Sequence, residues 1–81
     1  MDNLEREKAS KVFNTIWDMA KRYAFIPLDD FLWERFIEEG KEHSAEFQQE
    51  DDATWKLYRN MFLALEEYKR DKERERLNGK S

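Results

Sequence analysis

ATWKLYRNMFLALEEY, residues 53–68, is the stretch on which the fold turns. At about 100° per residue, Thr54, Trp55, Leu57, Tyr58, Met61, Phe62, Ala64, Leu65 and Tyr68 share roughly one half of a helical circumference. Lys56, Arg59, Asn60, Glu66 and Glu67 fill the other half. An arc this wide exceeds a coiled-coil seam, which needs two positions per heptad. It predicts a helix contacted by two neighbours. Asp51 or Asp52 marks the start, because a carboxylate there accepts a bond from an orphan backbone N–H and favours the positive end of the helix dipole. Leu63 breaks the pattern by lying in the middle of the charged arc.

The neighbours are legible upstream. Ala9, Val12, Phe13, Ile16, Trp17, Met19, Ala20, Tyr23 and Ala24 recur with the helical period, opposite Ser10, Lys11, Asn14, Asp18, Lys21 and Arg22. This first helix must stop near Phe25, because Pro27 disfavours helical geometry at Ile26 and has no N–H to donate. Asp29 is placed to cap a second helix, with Leu28 and Trp33 as its hydrophobic staple. Leu32, Trp33, Phe36, Ile37 and Gly40 lie on one side of it, Glu34, Arg35, Glu38, Lys41 and Glu42 on the other, and Phe31 projects from the charged side. The helix runs to about Phe47, or breaks at Gly40 and restarts at Ser44. Residues 48–52 are wholly polar and read as a loop. Links this short make neighbouring helices antiparallel.

Composition agrees. Charged residues make up 42% of the chain, which alone would suggest disorder, but aromatics reach 15% and supply much buried area per residue. Two glycines and one proline leave few turns, which favours long helices. With 81 residues there is room for one domain and a modest core. The expected architecture is all-α: a three-helix bundle of residues 9–68 with short connections, a polar segment 1–8 in front, and a charged helical extension 69–81 behind. In that extension Lys69, Lys72 and Arg76 replace the apolar arc, so core packing should end at Tyr68 and the helix should project into solvent, fraying before Asn78 and Gly79.

The chain has no cysteine, so neither a disulfide framework nor a thiolate metal site is available. No apolar run approaches a membrane span, and the charged N-terminus lacks a signal-peptide core, so no membrane association is expected and a cytoplasmic setting is the default. The protein is small and acidic, with net charge −4, carried unevenly: residues 38–52 contribute −6 and residues 69–81 contribute +3. That distribution predicts a molecule polar from end to end.

Chemistry is sparse. Glu38, Glu39, Glu42, His43 and Glu46 cluster on the second helix, but di-metal bundles use Glu-x-x-His facing inward from more than one helix. Here His43 is the sole histidine and the acids lie on the polar arc. Asp29-Asp30 and Asp51-Asp52 sit where helices need caps, and no nucleophile–base arrangement or Gly-rich phosphate loop is present. No enzyme activity, cofactor, metal or small-molecule substrate is expected. Lys56, Arg59 and Asn60 on the third helix are suitable types for nucleic-acid contact, yet Glu66 and Glu67 share their arc and the preceding loop is acidic, which opposes phosphate.

The best supported function is a non-enzymatic protein–protein interaction module, a homodimer being one form. Three short helices do not obviously cover three half-circumference arcs. Trp17, Trp33, Ile37 and Trp55 lie towards the arc edges, where a partner would meet them, and Phe31 and Leu63 stand on charged arcs. Tryptophan is enriched among binding hot spots. The alternative is a small regulator that binds nucleic acid or, as an acidic mimic, a nucleic-acid-binding protein.

Overall fold

A computed structural model describes residues 3–78. Three helices account for nearly all of them: α1, Asn3–Met19; α2, Asp30–Gln48; and α3, Asp52–Asn78. α1 passes directly into one π-helical turn, Ala20–Ala24. The molecule is a three-helix bundle measuring 52 × 23 × 17 Å. α3 is its axis. Both α1 and α2 lie close along it, and they approach each other much less.

The directions follow from cross-helix contacts. Ser44 and Gly40 of α2 meet Trp55 and Tyr58 of α3, so α2 runs antiparallel to α3. Lys8 meets Asp51 at one end and Lys69 meets Ile26 at the other, so α1 and α3 are parallel. The starts of α2 and α3 are capped as the sequence demands. Asp29 Oδ1 accepts from Leu32 N at 2.8 Å, and Asp51 Oδ1 accepts from Thr54 N at 2.7 Å. The Asp51 carboxyl also takes the Thr54 hydroxyl at 3.0 Å and Lys8 Nζ at 3.0 Å. These three donors stabilise the anion, the Thr54 backbone N–H most, and hold its pKa down to about 2.

The core has two halves. Val12, Ile16, Phe47 and Tyr58 form one, and Met19, Tyr23 and Phe36 form the other. Phe62 and Leu65 of α3 pack against both. Aromatic rings link the halves in sequence: Trp33 to Phe36 at 5.5 Å, Phe36 to Phe62 at 5.2 Å, Phe62 to Tyr58 at 6.0 Å and Tyr58 to Phe47 at 5.0 Å. Each such pair is worth about 0.5–1.5 kcal/mol beyond its buried area. The buried Tyr58 hydroxyl donates to the Gly40 carbonyl at 2.8 Å. Burial disfavours its phenolate and raises its pKa strongly.

Three expectations are corrected or resolved. α1 already begins at Asn3, ahead of the start expected at Ala9, and Lys8 ties it to the α2–α3 loop. α2 is unbroken through Gly40, which is buried and faces Phe62. A Cβ there would sit 2.3 Å from the Phe62 ring, so glycine serves close helix approach.

Core packing does not end at Tyr68. Lys69 is 0% exposed, and its Nζ donates to the Ile26 carbonyl and pairs with Glu73 at 2.8 Å. The reason lies in the first link. Pro27 ends the helix and leaves the Ile26 carbonyl without a helical donor, and Lys69, on the same line of α3 as Tyr58 and Leu65, reaches it. Lys69 also holds the Glu73 carboxyl below the usual carboxylate range. The extension is helical to Asn78, and Gly79 lies outside the described residues.

The acidic residues 38–52 run toward the α2–α3 loop and the basic stretch 69–76 lies at the other end, but each meets opposite charges there. The antiparallel α2 sets the basic stretch 69–76 at the same end as Asp29, Asp30 and Glu34, while Lys8 and Lys11 sit against Glu50 and Asp51 at the other.

Candidate interaction surface

The six residues proposed from sequence do not form one patch. Trp33 and Ile37 are half-buried against the Met19–Tyr23–Phe36 cluster. Arg70 lies 5.8 Å over the Trp33 ring. Trp55 is half-buried against the other cluster, donates Nε1–H to Ser44 Oγ at 2.9 Å and carries Arg59 at 5.6 Å over its ring. These three side chains complete the core. Phe31 is 67% exposed on the outer side of α2. Leu63 is 48% exposed at the rim of a shallow recess of about 280 Å³ between α2 and α3, beside Ile37, Lys41 and Phe62. Trp17, 56% exposed, belongs to a different face.

That face is formed by the adjoining flanks of α1 and α3. Around α1, Val12, Ile16 and Met19 form the buried line. On one side of it Lys11 and Arg22 turn to α2, Lys11 lying over Phe47 and Arg22 gripping Glu39. Phe13 and Trp17 lie about 100° round in the other direction, on the flank bordering α3. Phe13 is 52% exposed and Phe25 57%. Phe25, just past the π turn, folds back so that its ring meets Trp17 edge-on at 6.2 Å. On α3, Trp55 and Phe62 face α2. The opposite flank carries Leu57 and Met61, both half-buried, and the exposed Ala64 and Tyr68. Three large aromatic groups on α1 and its end therefore stand in solvent beside an apolar edge of α3. Scattered exposed apolar residues need no explanation; here Phe13, Trp17 and Phe25 stand together on one flank.

Sequence reasoning missed Phe13, Phe25 and Tyr68. Phe13 and Tyr68 lie on apolar arcs and read as core, because periodicity locates an arc without saying which edge a neighbour covers. Phe25 lies beyond the regular helix, where the wheel has no meaning. The π turn also left no signal in the pattern. It carries Ala20, Tyr23 and Ala24 into the interior together, and it aims Arg22 and Tyr23 at Glu39. Arg22 binds both Glu39 oxygens at 2.7 Å and Tyr23 donates to one at 2.9 Å. The Arg22 guanidinium draws the Glu39 pKa below its ordinary value. Burial, first, and the adjacent carboxylate push the Tyr23 hydroxyl up.

The residues considered for other chemistry are otherwise engaged. Glu39 faces Arg22 rather than His43, and among the described residues no group of three or more His, Asp or Glu side chains converges on a metal position. Lys56 pairs with Asp52 at 3.2 Å, and Arg59 stacks on Trp55. Among the described residues, no helix is long and apolar enough to cross a membrane. Comparison with protein-family models, curated proteins and solved structures finds no match to this chain.

Proposed function

We propose that the chain is a non-enzymatic protein–protein interaction module that receives a protein surface on the α1–α3 flank. The observation that carries this reading is the exposure of Phe13, Trp17 and Phe25 together, with Trp17 and Phe25 in contact, on a bundle whose other tryptophans are used in its core. About half of each ring is in water, so full burial by a partner would add roughly 1–1.5 kcal/mol per ring. α1 presents Phe13 and Trp17 on a formed helix, so little ordering entropy opposes docking there.

The test is photo-cross-linking in cells that express the protein. A photoreactive phenylalanine analogue replaces Phe13, and in a control it replaces Arg35 on the exposed side of α2. Discrete protein adducts from position 13, absent from position 35 and lost with Trp17→Ser, are the expected result. Equal labelling from both positions, or none from position 13, refutes the reading.

A further inference from the structure

We infer that the recess between α2 and α3 binds a small amphiphilic carboxylate, its head group held between Lys41 and Arg59 and its hydrocarbon tail lying against Ile37, Phe62 and Leu63. This site is separate from the α1–α3 flank and does not depend on it.

The recess exists because α2 is thin where it lies along α3. Gly40 and Ser44 stand on adjacent turns of the side that lines it, and neither side chain fills the furrow. The furrow is then bridged at both ends. At one end Trp55 of α3 donates Nε1–H to Ser44 of α2 at 2.9 Å, and Arg59 lies 5.6 Å over the indole. At the other, Arg70 of α3 pairs with Glu66 at 2.8 Å and lies 5.8 Å over the ring of Trp33 on α2. What stays open is a recess of about 280 Å³, at the small end for ligand cavities. Ile37 and Ser44 bound it along α2, about 10 Å apart at the helical rise. A helical segment of a partner would have to ride over both Arg–Trp bridges to lie along it. An extended chain of about eight carbons, with bonds of ~1.5 Å, fits between them.

Charge selects the head group. Lys41 and Arg59 line the recess from opposite helices. The Ser44–Trp55 and Gly40–Tyr58 contacts set them at nearly the same level. Neither has a carboxylate within ion-pair distance among the described residues, whereas Lys56, Arg70, Lys72, Arg74 and Arg76 of α3 all do. Glu66, an acid that lines the recess, is already neutralised by Arg70. Glu34, Glu38 and Glu67 lie on the outward arcs and do not line it. Two cations facing one another across a furrow repel, and an oxyanion between them turns repulsion into attraction. Trp55 holds Arg59 by its face, which leaves the N–H donors along the guanidinium edge for the planar fork that a carboxylate accepts. The tail accounts for Leu63, which is 48% exposed on a charged arc of α3 and would be covered by a chain in the recess.

The test is an NMR titration of the isotope-labelled protein with octanoate, alongside acetate and 1-octanol. Octanoate should give saturable shifts at the Gly40, Lys41, Arg59 and Leu63 amides and at the Trp55 indole N–H, with a dissociation constant on the order of 0.1–1 mM for so small a ligand. Acetate lacks the tail and octanol lacks the charge, so each should bind roughly tenfold more weakly or worse. The double variant Lys41→Gln, Arg59→Gln should lose about tenfold for octanoate and nothing for octanol. Its circular dichroism should be unchanged, because both side chains are exposed. Shifts centred on Phe13, Trp17 and Phe25 would mean that octanoate merely coats the exposed aromatic flank, and they overturn the proposal. Shifts that never saturate, octanol binding as tightly as octanoate, or an unweakened double variant overturn it equally. None of these failures touches the α1–α3 reading, which its own cross-linking decides.

Discussion

Replacing Gly40 with alanine should destabilise the protein, although glycine is among the poorest helix formers. Gly40 lies inside α2, where alanine is ordinarily favoured by about 0.5–1 kcal/mol. The packing opposes that gain. A Cβ at position 40 would lie 2.3 Å from Phe62 Cζ, 2.5 Å from Cε1 and 3.0 Å from Cε2. Ordinary carbon contacts need about 3.5–4.0 Å, so ring and helix must separate by more than 1 Å. Phe62 cannot simply swing away, because Phe36 lies at 5.2 Å and Tyr58 at 6.0 Å. Overpacking of this kind costs about 1–3 kcal/mol. Moving α2 outward also lengthens the 2.8 Å bond from Tyr58 to the Gly40 carbonyl. The net expectation is a loss of about 1–2 kcal/mol. Urea denaturation, followed by tryptophan fluorescence and by ellipticity at 222 nm, measures it. The cause is isolated by a double-mutant cycle with Phe62→Leu, which removes the ring tip. In that background the alanine should become neutral or stabilising. If Gly40→Ala alone raises stability by about 0.5–1 kcal/mol with an unchanged m-value, the close approach of α2 to α3 is not a constraint and the reasoning fails.

Three further outcomes follow from the same contacts. Lys69→Met keeps the buried stem but loses the donor to Ile26, and should cost about 1–2 kcal/mol by chemical denaturation. Lys69→Ala leaves a cavity as well and should cost more, whereas equal effects within about 0.5 kcal/mol of wild type would mean that the side chain is solvated. The Asp51 pKa is depressed from 3.8 to about 2, so its contribution is full above pH 3.8 and fades as pH falls through 2. Carboxyl NMR should follow that titration, Asp51→Asn should flatten stability over the same window, and a midpoint near 3.8 would contradict the cap. Glu39→Gln breaks the two-pronged contact with Arg22, which is partly open to solvent, so a loss of about 1 kcal/mol at pH 7 is expected in thermal denaturation. Because the Glu39 pKa is lowered, that difference should shrink as pH drops below 4.5.

What the sequence determined by itself was local. Periodicity located all three helices, Pro27 ended the first, and Asp29 and the Asp51-Asp52 pair marked the starts of the others, because each signal acts within one or two turns of the chain. The wide arc of residues 53–68 foretold a central helix with two neighbours, since a half-circumference of apolar side chains is more than one neighbour covers. Tertiary structure decided which edge of each arc stayed uncovered. Trp33 and Trp55 were drawn inside and Phe13 and Trp17 left out by how α1 and α2 settle around α3, a choice that composition on the wheel does not encode. It likewise gave Lys69 a buried role, because the carbonyl it satisfies lies 43 residues away. The charge neighbours were set in the same way: Lys8 and Lys11 meet Glu50 and Asp51 across the bundle, a pairing the sequence keeps apart. Short-range rules wrote the elements, and long-range packing, which alone sets what touches water, wrote the surface.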